Sequence, residues 1–232
     1  MNEKKENLIL IGLGSSAKTI YRFVTKYNLF NVIGFAADRK YITDSKFCDC
    51  SVYAIEDLES IMDKTKDKIF VAIQWNKLNA DRKSLYLKLK SQGYKFANLI
   101  SPMAVINGEV VGDNCWITDK VIVDFGAIIE ENVFIKIGAF VGPNSIVHSH
   151  CFIGMNSLIA GGCEIGEQTF VGITSVVFDQ VTVGRKCLIG GATIVKRNLA
   201  DFSKISSTSD FVVKQYDEET IESKLLFKNN VR

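Results

Sequence analysis

"VDFGAIIEENVFIKIGAFVGPNSIVHSHCFIG", from Val123 to Gly154, has Val or Ile at every sixth residue: Val123, Ile129, Ile135, Val141, Val147 and Ile153. The step continues outward, back through Ile117 and Val111 to Val105 and on through Ile159, Ile165, Val171, Val177, Val183 and Ile189 to Val195, 16 positions without an exception. Two residues before each of these sits a mostly small residue, as at Ala127, Ala139, Ser145, Ser157, Thr169, Ser175 and Thr193, and the residue after is often glycine, as at Gly142, Gly154, Gly166, Gly172, Gly184 and Gly190. A short fixed period decides architecture before local propensity does. A β-branched residue facing inward and a small one filling a tight corner make each hexad one flat face of a parallel coil.

The cysteines follow the same arithmetic. Four of the six, Cys115, Cys151, Cys163 and Cys187, lie multiples of six apart, which marks small inward positions rather than disulfide partners or zinc ligands. Cys48 and Cys50, in "CDC", have no second ligand pair, so no metal is expected and the thiols read as reduced.

Ahead of the repeat, up to about residue 100, short apolar runs alternate with helical patterns: "LILIG" (8–12), a helix near 16–27, "NVIGFA" (31–36), a helix over "IEDLESIMDK" (55–64), "IFVAI" (69–73) and a helix near 78–92. Strands alternating with helices imply a small parallel sheet, a Rossmann-like layout. The fold expected is therefore mixed α/β: a Rossmann-like domain over 1–101, the coil over 102–199 and a tail over 200–232. The six-residue step breaks at Lys196 to Leu199, and the acidic start and basic end of Asp217 to Phe227 suit a short terminal helix.

With 28 Lys and Arg against 26 acidic residues, no excess of positive charge draws the chain toward nucleic acid or an anionic membrane. No stretch reaches the roughly 18 apolar residues of a membrane span. "MNEKKENLILIG" reads as a charged tip on a short strand rather than a signal peptide, so the protein is expected in the cytoplasm.

Two places carry chemistry. The first strand runs through "GLGSSAK" (12–18) into a helix, where a tight glycine turn presents backbone N–H groups to a phosphate, a carboxylate or a sugar edge. The second strand ends at Asp38, where a nucleotide-binding fold places an acid against a ribose; about 100 residues leave room for one nucleotide-binding half only. In the coil, "HSH" holds both histidines of the chain, His148 and His150, around Ser149. Histidine suits proton removal near neutral pH.

The hexads resemble those of the hexapeptide acyltransferase family, which implies a left-handed parallel β-helix of three hexads per coil, about five coils here, that forms trimers. The order of "LILIGLGSSAKTI" (8–20), "VIGFAADRK" (32–40), "FVAIQWNKLNADRKSLYLKLKSQGYKFANLISPMAVI" (70–106) and then hexads resembles the sugar acyltransferases related to sialic acid O-acetyltransferase and the bacillosamine-pathway N-acetyltransferase. The resemblance implies an acyl-CoA-dependent, most simply acetyl-CoA-dependent, N-acyltransferase acting on a nucleotide-linked amino sugar for a surface glycan. O-acetylation of sialic acid and a non-catalytic trimeric scaffold are the alternatives. It assigns the sugar nucleotide to Gly14, Ser15, Ser16, Asp38, Trp75 and Asn76. It assigns the thioester carbonyl to the N–H of Gly161 in "AGG", and the pantetheine arm, lying between chains, to Ile173 and Gly191 in "FVGITS" and "LIGGAT". The family pattern His-acid-Cys-x-Ile-Gly meets Cys151, Ile153 and Gly154 here, but Ser149 holds the base position and His150 the acid position, with His148 one residue early. Which ring takes the proton stays open at this point.

Overall fold

The structure, a computed structural model, describes residues 5–207. The expected helix at 217–227 lies outside them.

Strands β1 (Asn7–Ile11), β2 (Asn31–Ala37), β3 (Lys46–Phe47), β4 (Cys50–Ala54) and β5 (Lys68–Val71) form one sheet in the order β3-β4-β2-β1-β5. All pairs are parallel except the β3–β4 hairpin. That hairpin explains "CDC": Cys48 and Asp49 are its two turn residues, with φ of 50° and 63°, the left-handed pair that a tight hairpin requires. Helices α1 (Ser15–Tyr27) and α3 (Ala80–Ser91) follow the expected periodicity. The helix expected over 55–64 shrinks to a 3-10 turn at Ile55–Asp57 and a single turn, α2 (Leu58–Ile61). It stops because the Asp63 carboxylate takes the backbone N–H of Thr65 and Asp67 takes that of Asp63, so side chains replace helical carbonyls.

From Leu99 to Ile205 the chain winds as a left-handed parallel β-helix of three sheets, each made of two-residue strands. Val123 pairs with Val141 and Val141 with Ile159, so one coil is three hexads. The residue three before each inward Val or Ile turns the corner in the left-handed region, as at Asn114, Asn132, Asn144, His150, Asn156 and Gln168. The inward residues from Ile117 to Val195 are fully buried.

The first coil corrects the expectation. Val105 and Val111 point outward, 48% and 60% exposed. The residues stacked beneath Val123 and Ile129 are Ile106 and Val110, and Ile100 lies beneath Ile117. At the other end the coil does not stop at Leu199: Leu199 bridges to Val183 and Ile205 pairs with Ile189, a last turn two residues short.

The outward residues give the three faces different characters. Trp116, Phe134, Phe152 and Phe170 make an aromatic face, which the small domain covers: Phe70 stacks on Phe134 at 5.7 Å, Phe23 meets Trp116 at 5.9 Å and Trp75 packs on Phe152 at 5.2 Å. Ile122, Phe140, Leu158, Val176 and Ile194 make an aliphatic face. Glu109, Ile128, Ile146, Glu164 and Thr182 make a mixed one. No helix among the described residues is long and apolar enough to cross a membrane.

Candidate functional site

Two clefts flank α3. The larger, about 810 Å³, opens at the C-terminal ends of β1, β2 and β5 and is lined by Gly14, Ser15, Ser16, Asp38, Trp75 and Asn76, all six of the residues assigned to the sugar nucleotide. Gly12 needs its glycine, since its φ of 130° is closed to other residues. Gly14 does not: a Cβ there would meet nothing within 4 Å, so the missing side chain leaves open space for a ligand. No side chain caps α1, so its first-turn N–H groups remain for an anion. Sequence reasoning missed Tyr41, Asp81, Ser84 and Lys88, which close the far wall. Lys88 comes within 4.0 Å of Asp38.

The second cleft, about 510 Å³, lies on the other side of α3 and brings Lys83 and Leu87 against Glu130, Glu131, His148, Ser149, His150 and Glu167. It separates the two histidines. His150 is 3% exposed and occupies a left-handed corner, φ 66°. It continues a buried ladder of corner side chains one coil apart: Asn114 Nδ2 donates to Asn132 Oδ1 at 2.7 Å, and Asn132 Nδ2 meets His150 Nδ1 at 2.9 Å. Because Asn132 Nδ2 can only donate, Nδ1 is the acceptor and the neutral ring carries its proton on Nε2. Burial first, then the Lys83 ammonium, pulls the His150 pKa down to about 4. Its one lone pair is already spent.

His148 is the opposite case. Its Nδ1 lies 3.0 Å from Glu130 Oε1 and its Nε2 2.8 Å from Glu164 Oε1. Partial burial opposes its charge, but the hydrogen bonds to Glu164 and Glu130 outweigh that and raise its pKa. The Glu130 carboxylate also accepts from Ser149 N–H at 2.9 Å and Ser149 Oγ at 2.8 Å, so it grips the whole turn. Ser149 thus holds the turn, and its hydroxyl proton is engaged. Glu130 stands 18 residues before His148, one full coil, a spacing that could have found it in the sequence.

The remaining coil residues lie elsewhere in this chain. Gly161 occupies the corner between the aliphatic and mixed faces, where its N–H donates to Asp179 Oδ1 at 3.0 Å. Ile173 and Gly191 stack on the corner between the aromatic and aliphatic faces; a Cβ on Gly191 would lie 3.3 Å from Ile173 Cγ1. One chain therefore puts the three groups on three different corners. The four repeat cysteines are buried, and burial pushes Cys115 and Cys151 up to about 12, far from reactive thiolates. Among the described residues no group of three or more His, Cys, Asp or Glu side chains could hold a metal ion.

Residues 126–161 match the family model "Bacterial transferase hexapeptide (six repeats)". Among curated protein sequences none matches significantly. Among solved structures, the chain is similar to the acetyltransferase domain of PglB from Neisseria gonorrhoeae FA1090 in complex with acetyl coenzyme A (TM-score 0.77, 19% identity, 88% of this chain and 97% of that one). It is also similar to PerB from Caulobacter crescentus in complex with CoA and GDP-perosamine (0.76, 24%, 87% and 94%). WeeI from Acinetobacter baumannii AYE matches as well (0.74, 14%, 86% and 96%). At these identities the likeness is one of fold: the chain carries the bacterial transferase hexapeptide repeat behind a small α/β domain, in the two-part architecture of these proteins.

Proposed function

We propose that this protein transfers an acyl group, in the simplest case acetyl, from CoA to the amine of a nucleotide-linked sugar. The observation that carries the reading is the pairing of two clefts across α3, one of nucleotide size with an open helix N-terminus and an acid at the end of β2, the other holding a histidine fixed by a carboxylate. His148 is the base. Glu130 orients its Nδ1, and its Nε2 faces Glu164, a half-exposed carboxylate that an acceptor can displace. As the sugar amine attacks the thioester carbonyl, Nε2 takes the amine proton; the tetrahedral intermediate then expels CoA thiolate and the C–S bond breaks. The proton held on His148 is available to the thiolate. Glu130, Glu131, Glu164 and Glu167 outnumber Lys83, Lys90 and Arg82 around this corner, which favours binding an amine, cationic in water, over a hydroxyl.

The donor half of the site comes from a second copy of the chain. His148, Gly161 and the Ile173–Gly191 corner cannot meet within one coil, and the aliphatic face supplies a surface for association: Ile122, Leu158 and Ile194 are 37%, 40% and 53% exposed, flanked by Ile137, Met155 and Ile173. A trimer in which the aliphatic face of one copy, with its Gly161 and Ile173–Gly191 corners, packs against the HSH side of its neighbour sets these donor groups beside the neighbour's His148. There the pantetheine arm lies along Ile173 and Gly191, and Gly161 N–H, once released from Asp179, is a donor for the oxyanion.

The test is CoA release from acetyl-CoA with a panel of UDP-, dTDP- and GDP-linked amino sugars, beside free sialic acid. Release with one of the amino sugars is expected. Release with sialic acid alone establishes the O-acetylation alternative, and release with none establishes a binding or scaffold protein.

A further inference from the structure

Helix α3 is the wall shared by the two clefts. Asp81, Ser84, Leu85 and Lys88 face the nucleotide-sized cleft, and Lys83 and Leu87 face the histidine cleft. Between them a third set grips the coil. Lys90 binds Glu131, Tyr86 binds Asp113, Arg82 reaches Asn132, His150 and Cys151, and Lys83 pairs with Glu167. From position 82 to position 90 a helix rises about 12 Å. Three coil steps at the strand spacing climb about 14 Å. The helix thus runs alongside these coils, its long side chains reaching partners from Asp113 to Glu167, and α3 is riveted along the corner that carries "HSH".

Arg82 is the rivet at the turn itself. It is fully buried, and among the described residues no carboxylate lies within ion-pair distance of it. Instead Nε donates to Asn132 Oδ1 at 3.1 Å and Nη1 to Asn79 Oδ1 at 3.4 Å, while Nη2 donates to the carbonyls of Asn132 and His150, both at 3.2 Å, and of Cys151 at 3.0 Å. The guanidinium carbon lies over the Phe134 ring, 3.9 Å from its centre. Burial pulls its pKa down to about 9, so it stays charged at neutral pH. A guanidinium buried without a counter-ion is costly, and simple domain packing would be met as well by an apolar side chain. What an apolar side chain lacks is the fork of donors that fixes two successive carbonyls at the end of a left-handed turn. The HSH turn is thus held at one end by Glu130, on Ser149, and at the other by Arg82, on His150 and Cys151.

From this geometry we infer that Arg82 is a positioning residue for the acyl transfer, presenting His148 by locking the His150 and Cys151 carbonyls. The inference rests on the role given above to His148. Arg82 touches neither sugar nor CoA; it acts through the turn.

The test compares Arg82→Gln and Arg82→Lys with the wild type, in the full chain, by steady-state kinetics and by NMR titration of the imidazoles, which a chain with two histidines makes direct. In Arg82→Gln, kcat is expected to fall at least tenfold with the KM for acetyl-CoA within twofold. The His148 titration midpoint falls toward 6.5 as its hold on Glu130 and Glu164 loosens. Arg82→Lys, which keeps the charge and part of the donor set, recovers part of both effects and serves alone where the glutamine variant does not fold. A kcat within twofold of wild type, or an unmoved His148 midpoint in folded variants, overturns the inference. If the wild type itself releases no CoA, the acyl-transfer reading fails, while the His148 midpoint still reports whether Arg82 sets the turn.

Discussion

Replacing His150 by asparagine separates structure from chemistry at the HSH corner. Asparagine tolerates the left-handed corner and extends the ladder that Asn114 and Asn132 begin, its Oδ1 accepting the Asn132 Nδ2 proton in place of His150 Nδ1. At pH 7.5 wild-type His150 is neutral, and the variant should match wild-type stability to within about 1 kcal/mol, the scale of one exchanged hydrogen bond. The difference appears in acid. In the unfolded chain His150 titrates near 6.5, whereas folded it holds off protonation down to about 4. Its folded pKa is depressed, so the stability tied to it is present above about 6.5 and is lost as pH falls from there toward 4. At pH 4.5 the linkage relation makes this loss about 2–3 kcal/mol, all of it absent from the asparagine variant. Denaturant unfolding of both proteins at pH 7.5 and pH 4.5 measures it, because carboxylates common to both, such as Glu130, Glu131 and Glu167, cancel in the difference. His150→Asn should be equal to wild type at pH 7.5 and more stable by that amount at pH 4.5. A stability difference that does not change with pH would refute the buried, neutral ladder histidine.

Three further changes test other parts of the account. Glu130→Gln should lower kcat about 100-fold, within the range for general acid–base groups. Because the His148 pKa is raised and the reaction needs the ring unprotonated, the rising limb of kcat/KM against pH should also move to lower pH, read from a pH–rate profile. Asp38→Ala should raise the KM for the nucleotide-linked sugar about tenfold, the weight of one charged hydrogen bond, and leave the KM for acetyl-CoA unchanged. Leu158→Glu together with Ile194→Glu should convert a species of three times 25.8 kDa into monomer by light scattering, since both side chains stand on the uncovered aliphatic face.

Much of the fold could be read from the hexads because inward and corner positions demand different residue types. Val123, Ile129 and Ile135 are inward, while Ala127, Cys151 and Ser157 fill corners. The reading slipped at the first coil for the same reason that it worked elsewhere. Val105 and Ile106 are both β-branched, as are Val110 and Val111 by side chain, so composition does not say which one faces in; the register with Val123 and Ile129 does. In the small domain, the glycine turn and Asp38 were legible because strand ends of a parallel sheet converge. Lys88, Asp81 and Tyr41 were not, since their place depends on how α3 and the 3-10 turn pack. The partners of the two histidines lay within reach of the 18-residue coil that the resemblance implies, which sets Asn132 under His150 and Glu130 under His148, but that spacing does not say which ring is buried and which is partly exposed. Arg82 had no sequence signal, because the backbone carbonyls it holds belong to a domain that begins after the helix ends.

The central claim is that His148, and not His150, removes the acceptor proton in an acyl transfer from CoA. Thiol release from acetyl-CoA in the presence of the preferred nucleotide-linked amino sugar, measured side by side for wild type, His148→Ala and His150→Asn, tests it most directly. The account predicts a loss of about 100-fold or more in kcat for His148→Ala, as for removal of a general base, and turnover within about threefold of wild type for His150→Asn. Full turnover in His148→Ala, or its collapse in a folded His150→Asn, would contradict it.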